Sequence, residues 1–364
     1  MSSADKADSP VRVLIVDDSA LMRKLLTDLF KGVAEIEVVG AAGDASSALE
    51  MTGKLRPDVI TLDIQMPGLS GMEVLPILIA THGVPVIMVS TLTQAGADIT
   101  LAALELGAVD FFPKPDRHQI AEMKACREVL IEKVMNASKS RVRKPRPSRR
   151  TSSSESTAPK VSSPALALPE APANLPCVVI GISTGGPEAL GQILPLISPP
   201  IPPILVVQHM PATFTGVFAE RLNRNCQVPV KEAAGGDAVV PNQILIAPGG
   251  KHMTITGHPP RSVVKISEGP AVSGHRPSID MLFQSAAKAY GPSTVGIIMT
   301  GMGRDGVEGC KRIIAAGGRT FGQDEATSVV YGMNKAAFIE GAVMVQFPVE
   351  NLPALIEQLS KTAD

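Results

Sequence analysis

Short apolar, β-branched runs alternate with helical patterns in two blocks, and this alternation limits the fold more than any other feature. The first block contains the runs VRVLIV, EIEVVGAA, VITLD, PVIMVS and DFFPKP, with helix-compatible stretches between them. In the first of these helices Leu21, Leu25 and Leu29 lie on one face. Five strand–helix units in this block predict a five-stranded parallel (βα)5 domain of the flavodoxin-like type, with helices on both faces of the sheet.

The second block repeats the alternation with CVVIGI, ILVVQ, QILIAPG, TVGIIMT and GRTFGQ, which predicts a larger, doubly wound and mostly parallel α/β domain. The segment between the blocks is rich in Ser, Pro, Ala and Arg, and it has too little apolar surface to offset the entropy of ordering. We therefore expect four regions: a disordered N-terminus at 1–10, the first domain at 11–135, a flexible linker at 136–174 and the second domain at 175–364.

Composition excludes several classes of protein. A net charge of −1, the absence of Trp and 3% aromatic residues argue against a nucleic-acid partner. The cysteines are far apart, without the spacing of metal ligands, and are interpreted as reduced thiols: Cys126, Cys177, Cys226 and Cys310. No apolar stretch approaches the roughly 18 residues that span a membrane, and no signal peptide precedes the first strand. These features predict a cytoplasmic protein that is not inserted into a membrane.

Polar residues stand at the carboxyl ends of four strands in the first block. Asp17 and Asp18 follow the first strand, Asp63 ends the third, Ser90 ends the fourth and Lys114 follows the fifth. Carboxyl ends of parallel strands meet at one edge, where open sheets bind ligands. Clustered carboxylates suit Mg²⁺, and a hydroxyl with an ammonium group suits a phosphoryl group. Each aspartate alone is explained as a helix cap or turn residue. The occurrence of five polar residues at four strand ends favours a binding site instead.

Three motifs in this block, VDDSALMRKLL, DIQMPGLSGME and DFFPKP, resemble a response-regulator receiver domain over roughly residues 11–132. The resemblance implies Asp63 as the phosphoacceptor, Asp17 and Asp18 as its metal partners, and Ser90 and Lys114 as the switch pair. It also implies Mg²⁺ as the cofactor of phosphorylation and a chemotaxis histidine kinase as the phosphodonor. Many receivers carry threonine where this chain has serine, and either residue supplies the hydroxyl.

The second block begins with a glycine-rich turn, VVIGISTGGPEAL, around Ser183. The turn lacks the lysine of a Walker phosphate loop and the glycine spacing of a dinucleotide fingerprint. It does fit Gly-x-Ser-x-Gly, in which a strained strand-to-helix turn exposes a serine hydroxyl. The pattern is weak by itself, so a nucleophile elbow and a merely structural turn both remain open at this point.

A serine nucleophile needs a base and an acid that orients the base. His209 directly follows the strand run ILVVQ, and Asp305 lies in the glycine-rich loop after TVGIIMT. Both are expected at the same sheet edge as Ser183, which predicts a Ser-His-Asp triad. The chain order Ser…His…Asp differs from the Ser…Asp…His of α/β-hydrolases.

The remaining histidines are weaker candidates for the catalytic base. His82 and His118 are expected on the surface of the first domain, and His258 lies in the turn GHPP. His252 and His275 stay open between a structural role and contact with a ligand.

The stretches GISTGGPEAL, QHMP, TGMGRDG and QDEATSVVYGMNKAA resemble the catalytic domain of chemotaxis protein-glutamate methylesterases over roughly residues 175–362. The resemblance implies Ser183, His209 and Asp305 as the triad of a serine esterase that needs no cofactor for hydrolysis. It implies methyl-accepting chemoreceptors as substrates, methanol as product, glutamine deamidation as a side activity, and a receiver that covers the cleft until it is phosphorylated. Asn334 stands where this family often has proline.

The tetrahedral oxyanion of such a reaction needs backbone donors, and we expect them to be the amides of Met302 and Thr184 on two glycine-rich loops. Two other functions compete for the second domain. A transcription effector predicts a helix–turn–helix near the carboxyl end, where strands and helices alternate instead. A metal-dependent phosphotransferase predicts an acidic cluster like Asp17, Asp18 and Asp63, and the second block has no comparable group.

Overall fold

The structure is a computed structural model with two α/β domains, and this confirms the predicted fold class. It describes residues 9–91, 93–114, 120–140 and 176–361. Nearly all of the predicted N-terminal arm and linker, including the basic stretch RVRKPRPSRR at 141–150, lies outside these residues. No helix in the described part of the chain is long and apolar enough to cross a membrane.

The first domain alternates strands and helices without exception. Its elements are β1 (Val11–Val16), α1 (Ala20–Phe30), β2 (Ile36–Ala42), α2 (Ala45–Leu55), β3 (Val59–Asp63), α3 (Gly71–His82), β4 (Val86–Ser90), α4 (Gln94–Glu105), β5 (Asp110–Pro113) and α5 (Ile120–Ser138). Within the described residues, five parallel strands pair in the order β2-β1-β3-β4-β5. The carboxyl ends of β1, β3, β4 and β5 therefore share one edge, as predicted.

Of the three leucines predicted on one face of α1, only Leu29 is fully buried. Leu21 is 53% exposed and Leu25 is half-buried, whereas Met22, Leu26 and Leu29 are buried. The apolar stripe that meets the sheet follows the i, i+4, i+7 spacing from Met22.

The last helix of the first domain continues past the predicted boundary at residue 135. Its final turn reaches Ser138, and Ala137 is buried in the same apolar cluster as Leu130 and Val134. The composition changes near Asn136, but small and polar residues there still complete the helix because one of them packs into the core.

The second domain is built on a longer sheet. Its elements are β6 (Cys177–Ile182), α6 (Gly186–Ile193), β7 (Ile204–Gln208), α7 (Ala212–Asn225), β8 (Val230–Glu232), β9 (Ile244–Ile246), β10 (His252–Thr256), β11 (Val263–Ser267), α8 (Ile279–Tyr290), β12 (Thr294–Ile298), α9 (Val307–Ala315), β13 (Arg319–Gln323), α10 (Met333–Ile339), β14 (Val345–Phe347) and α11 (Leu352–Lys361). Among the described residues the parallel order is β14-β13-β12-β6-β7-β9-β8, and β10 and β11 form a separate antiparallel hairpin.

The strand β6 lies at the point where the order of this sheet reverses. It pairs with β7 on one side and with β12 on the other, and its side chains alternate between two buried layers. One layer contains apolar residues of α6, α7 and α11, and the other contains those of α8, α9 and α10. The domain is therefore doubly wound, and a crevice at the carboxyl ends of β6 and β7 is where such sheets bind ligands.

Gly186 begins α6 directly behind the turn that carries Ser183. A Cβ atom at position 186 would lie 2.0 Å from Gln208 Oε1 and 2.9 Å from Ile182 Cγ1. We expect Gly186→Ala to lower the free energy of unfolding of the second domain by about 1–3 kcal/mol, because the packed site cannot absorb the methyl group. Urea denaturation of the full chain measures the change.

Gly191 of the same helix is the matched control. A Cβ atom there meets nothing within 4 Å. Gly191→Ala is expected to stabilise the helix by up to about 1 kcal/mol, since alanine has the higher helix propensity. Equal destabilisation by both variants would contradict the packing argument.

Candidate active site

The first domain gathers an acidic pocket at its sheet edge. Asp17, Asp18 and Asp63 each offer a carboxylate oxygen within 4.8 Å of the others, and Asp18 is exposed while the other two are buried. Lys114 Nζ hydrogen bonds to Asp63 Oδ2 at 2.7 Å, and it lies 3.0 Å from Asp17 Oδ2 as an ion pair without hydrogen-bond alignment. Burial raises the pKa of Asp63, and the charge of Asp17 adds to this, against the hydrogen bond from Lys114. Three carboxylates against one ammonium group fit a hard divalent cation with oxygen ligands.

The hydroxyl of Ser90 is bonded to α4 instead of to the acidic pocket. Thr100 Oγ1 donates to Ser90 Oγ at 2.7 Å, and Ser90 Oγ lies 3.4 Å from the carbonyl of Gly96. The amide of Lys114 donates to the Ser90 carbonyl at 2.7 Å. The two predicted switch residues are thus neighbours through their backbones, while the hydroxyl is held by the helix beside them.

The parallel pairing of β6 with β7 brings Ser183 and His209 to one edge. Ile182 pairs with Gln208, and Ser183 and His209 each follow that pair by one residue. Gln208 Nε2 donates to the carbonyls of both, at 3.0 Å and 3.1 Å, and so fixes the two turns to each other. No hydrogen bond joins Ser183 Oγ to the ring of His209 in this structure, and such bonds commonly tighten when substrate binds.

Asp305 orients the ring of His209 from a fully buried position. His209 Nε2 lies 2.9 Å from Asp305 Oδ2 and donates to it, since a carboxylate accepts. Asp305 also accepts from Ser278 Oγ at 2.8 Å and from the amides of Ile279 at 2.7 Å and Asp280 at 3.0 Å. These residues cap and begin α8, so the carboxylate lies at a helix N-terminus, where the partial positive charge favours an anion.

The pKa values of the two carboxyl groups at this helix end shift in opposite directions. Burial raises the pKa of Asp305, but the hydrogen bond and charge of His209 and the helix amides outweigh burial and hold the pKa below its ordinary value. Burial raises the pKa of the neighbouring Asp280 to about 6. Asp280 Oδ1 accepts from the amides of Gly306 at 3.0 Å and Gly309 at 2.7 Å, which ties down the loop that carries Asp305.

His209 Nδ1 is the ring nitrogen left for a base. It is buried, and it has no hydrogen-bond partner in the described part of the chain. With Nε2 bonded to a carboxylate, the neutral ring carries its proton on Nε2 and its lone pair on Nδ1. The geometry therefore offers an acceptor for a proton in the crevice that also contains Ser183.

Of the two predicted oxyanion donors, Thr184 lies in the serine turn itself, and Met302 lies on a loop that touches this turn. A Cβ atom at Gly301, where φ is +156°, would lie 2.6 Å from Ser183 Cβ, so this close approach requires glycine. Thr300 Oγ1 donates to the carbonyl of Thr184 at 2.9 Å. Among the described residues, the amides of Thr184 and Met302 donate to no acceptor, as expected of groups that await a ligand.

Part of the first domain covers this crevice. Thr184 Oγ1 donates to Asp110 Oδ2 at 2.7 Å, and Lys133 Nζ lies 2.7 Å from Asp110 Oδ1. Phe111 stacks on Phe214 of α7, with ring centroids 4.3 Å apart. The crevice that contains the serine and histidine is reduced to a cavity of about 20 Å³. Such a cavity has room for about one water and none for a substrate side chain.

A second contact joins the domains beside the crevice. Arg221 of α7 forms a fork with Glu105 of α4, at 2.7 Å and 2.5 Å, and lies 3.3 Å from Asp98. Arg224, one turn further on, lies 3.9 Å from Asp98 and is 63% exposed. Arg221 therefore makes the closer contact, and its fork to Glu105 is bidentate.

Sequence reasoning missed several residues of this site. Gln208 directly precedes His209 in the QHMP stretch, and that adjacency is the one signal that points to it. Asp110 and Arg221 carry no local signal, because their partners lie in the other domain.

The other histidines have the following places. His82 is exposed at the end of α3, as expected, and His118 lies outside the described residues. His252 and His258 bond to the backbone carbonyls of Pro270 and Ala289. His275 stacks on His209.

Asn334 occupies a buried structural position. Its Nδ2 donates to the carbonyl of Gln323 at 2.7 Å and to Ser328 Oγ at 2.8 Å. Gln323 Oε1 in turn accepts from the amide of Thr300, which precedes the oxyanion loop. Asn334 is thus connected through Gln323 to Thr300, which lies next to the oxyanion loop.

The fold and the two sites define a class: a receiver domain joined to an α/β output domain with a serine, a histidine and an aspartate at one sheet edge. Residues 13–124 match the model of the response regulator receiver domain, and residues 178–356 match that of the CheB methylesterase. The chain is 44% identical to "Protein-glutamate methylesterase/protein-glutamine glutaminase 1" of Dechloromonas aromatica, over 94% of this chain and 96% of that protein.

A relative with the same designation in Pyrococcus horikoshii is 42% identical over 95% of this chain and 92% of that protein. The crystal structure of the Thermotoga maritima CheB methylesterase catalytic domain is 36% identical, covers 51% of this chain and 97% of that one, and has a TM-score of 0.49. The chain belongs to the protein-glutamate methylesterase/protein-glutamine glutaminase family.

Proposed function

We propose that this chain is a phosphorylation-controlled esterase that hydrolyses glutamate γ-methyl esters of chemoreceptors to glutamate and methanol. Glutamine side chains, whose amide resembles the ester, are a second substrate. The observation that carries the proposal is the convergence of Ser183 and His209 on paired strand ends, with Asp305 bonded to His209 at 2.9 Å. The names of the relatives support the substrate class.

The first step is acylation of the serine. His209 Nδ1 accepts the proton of Ser183 Oγ while the oxygen attacks the ester carbonyl carbon. The carbonyl oxygen becomes an oxyanion and accepts from the amides of Met302 and Thr184, each of which is worth about 3–4 kcal/mol in such sites. His209 then gives the proton to the methoxy oxygen, and methanol leaves.

The second step frees the enzyme. A water molecule loses a proton to His209 Nδ1 and attacks the glutamyl ester of Ser183. The proton returns to Ser183 Oγ as the ester breaks, and the substrate leaves as glutamate. Asp305 stays ionised throughout and stabilises the imidazolium, in keeping with its lowered pKa. A glutamine side chain passes through the same acyl intermediate and releases ammonia.

The receiver supplies the control. Asp63 attacks the phosphorus of a phosphohistidine on a histidine kinase. The P–N bond breaks, the kinase histidine leaves, and Asp63 becomes an acyl phosphate. Asp17, Asp18 and Asp63 are the residues that would hold Mg²⁺, which when bound neutralises charge on the phosphoryl oxygens. Lys114 lies beside Asp63 and pairs with the added charge.

Two elements, α4 and β5, connect the acidic pocket to the contact between the domains. A phosphoryl group offers Ser90 a new acceptor, and Ser90 then gives up its bonds to Thr100 and Gly96 of α4, the helix that holds Arg221. The strand β5 has Lys114 beyond one end and Asp110 at the other. Movement of α4 and β5 withdraws Asp110 from the serine turn and opens the crevice.

Ser183→Ala tests the proposed reaction. We expect it to reduce methanol release from methylated receptor membranes by at least about a thousandfold, because no other nucleophile replaces the hydroxyl. The assay uses the full chain, with and without a small phosphodonor and Mg²⁺. The variant should still accept phosphate on its receiver, which shows that the first domain is folded, and an unchanged urea denaturation profile shows the same for the second domain. Release that is unchanged by the substitution would refute the assignment of the site.

Arg221→Ala tests the control by the receiver. Loss of the fork to Glu105 should raise methanol release by the unphosphorylated chain about two- to tenfold, since the contact holds the closed arrangement. With saturating phosphodonor the variant should match the wild type.

Arg224→Ala is the matched control on the same helix, since its contact with Asp98 is longer and more exposed. It should leave the unphosphorylated rate unchanged. A similar rise in both variants would mean that the effect comes from the charge of α7 and not from this contact.

A further inference from the structure

His275 packs face to face against the ring of His209. The ring centroids are 3.8 Å apart and the planes differ by 9°. Within the described residues no hydrogen bond is made by the His275 ring, and the stack on His209 is its aromatic contact.

A parallel stack of this kind depends on the charge of the rings. Two neutral aromatic rings prefer offset or edge-to-face arrangements, whereas a cation is attracted to the face of a neutral ring. His209 is neutral at rest in the proposed mechanism and becomes an imidazolium while the tetrahedral intermediate forms. The stack is therefore stronger at the moment of reaction than before it, and an interaction of that type raises the rate of the chemical step.

His275 stays neutral at the pH of the cell. Burial lowers its pKa to about 4, with a smaller effect from the neighbouring His209. The ring consequently presents an uncharged face, and two positive charges do not meet across the stack.

The segment that carries His275 also contacts Asp305, the other partner of His209. The backbones of Val272 and His275 exchange hydrogen bonds of 3.1 Å and 2.9 Å, which fixes the turn that carries the ring. A few residues later the same segment reaches Ser278, whose hydroxyl donates to Asp305. His252 Nδ1 accepts from the amide of Ser278 at 3.3 Å and anchors the segment. The segment that carries the stacked ring therefore also donates a hydrogen bond to the carboxylate that orients His209.

We propose that His275 is a positioning residue of the esterase: its neutral aromatic face keeps the plane of His209 in place and stabilises the imidazolium of the transition state. The proposal rests on the esterase activity proposed above. A residue that merely filled space would be replaced equally well by any side chain of similar size.

The test compares His275→Phe with His275→Leu in the full chain, under saturating phosphodonor and Mg²⁺. Phenylalanine keeps the aromatic face, and leucine keeps apolar bulk without it. We expect Leu to lower kcat for methanol release about tenfold with little change in KM, and Phe to stay within about threefold of the wild type. Wild type and Ser183→Ala run in parallel, so a failure of the esterase assignment is seen separately as activity that survives loss of Ser183.

Three results would overturn the role of His275. Wild-type kcat in both variants would mean that the stack is incidental. Equal loss in both, with unchanged melting temperatures, would mean that the aromatic face is not what matters, and a change in KM alone would place His275 in substrate binding. The wild-type chain gives an independent check by NMR. The ring protons of His209 should show an upfield ring-current shift that is lost in His275→Leu, and its absence would also contradict the proposal.

Discussion

The buried charge of Asp305 is the constraint on which the rest of the site depends. A carboxylate with no exposure is costly unless it is paired and hydrogen bonded, and here the N-terminus of α8 supplies two amides and a capping hydroxyl. Oδ2 has one remaining direction, and His209 Nε2 occupies it. Because α8 fixes Asp305, it also determines that Nε2 of His209 faces the carboxylate. Nδ1 of His209 therefore remains available in the crevice.

The contact between the two domains lies over the crevice that contains Ser183 and His209. The first domain covers it with a polar bond from Thr184 to Asp110 and a small aromatic stack, beside an ion-pair fork at Arg221. Such polar contacts resemble those between domains that move relative to each other. A single strand, β5, has the covering carboxylate at one end and is followed by Lys114 of the acidic pocket at the other. The two sites are thereby linked through a rigid element instead of a chain of loops.

The strands and the residues that end them were predictable from the sequence, because β-branched runs and the rule for parallel sheets place strand ends together. Ser183 and His209 follow this rule directly, since each stands one residue past a paired strand end. Asp305 lies further along its loop, and its position depends on hydrogen bonds from the N-terminus of α8. No motif spacing in the sequence predicts that contact. The residues of α1 that face the sheet were not identified from the sequence, because Leu21 is apolar and yet exposed beside the buried stripe.

The remaining features depend on contacts between distant segments. His275 was left open by the sequence, since its partner is a ring 66 positions away in the chain. The charge pairing of Arg221 with Glu105 crosses from one domain to the other, and a single sequence contains no signal for it.

Hydrogen exchange, measured by mass spectrometry on the full chain with and without a phosphodonor and Mg²⁺, tests most directly whether the receiver covers the catalytic crevice until it is phosphorylated. The account predicts that phosphorylation lowers protection in peptides from both sides of the contact together: the serine turn and α7 of the second domain, and α4 with the start of β5 of the first. Changes confined to the first domain, with the serine turn and α7 unaltered, would contradict it.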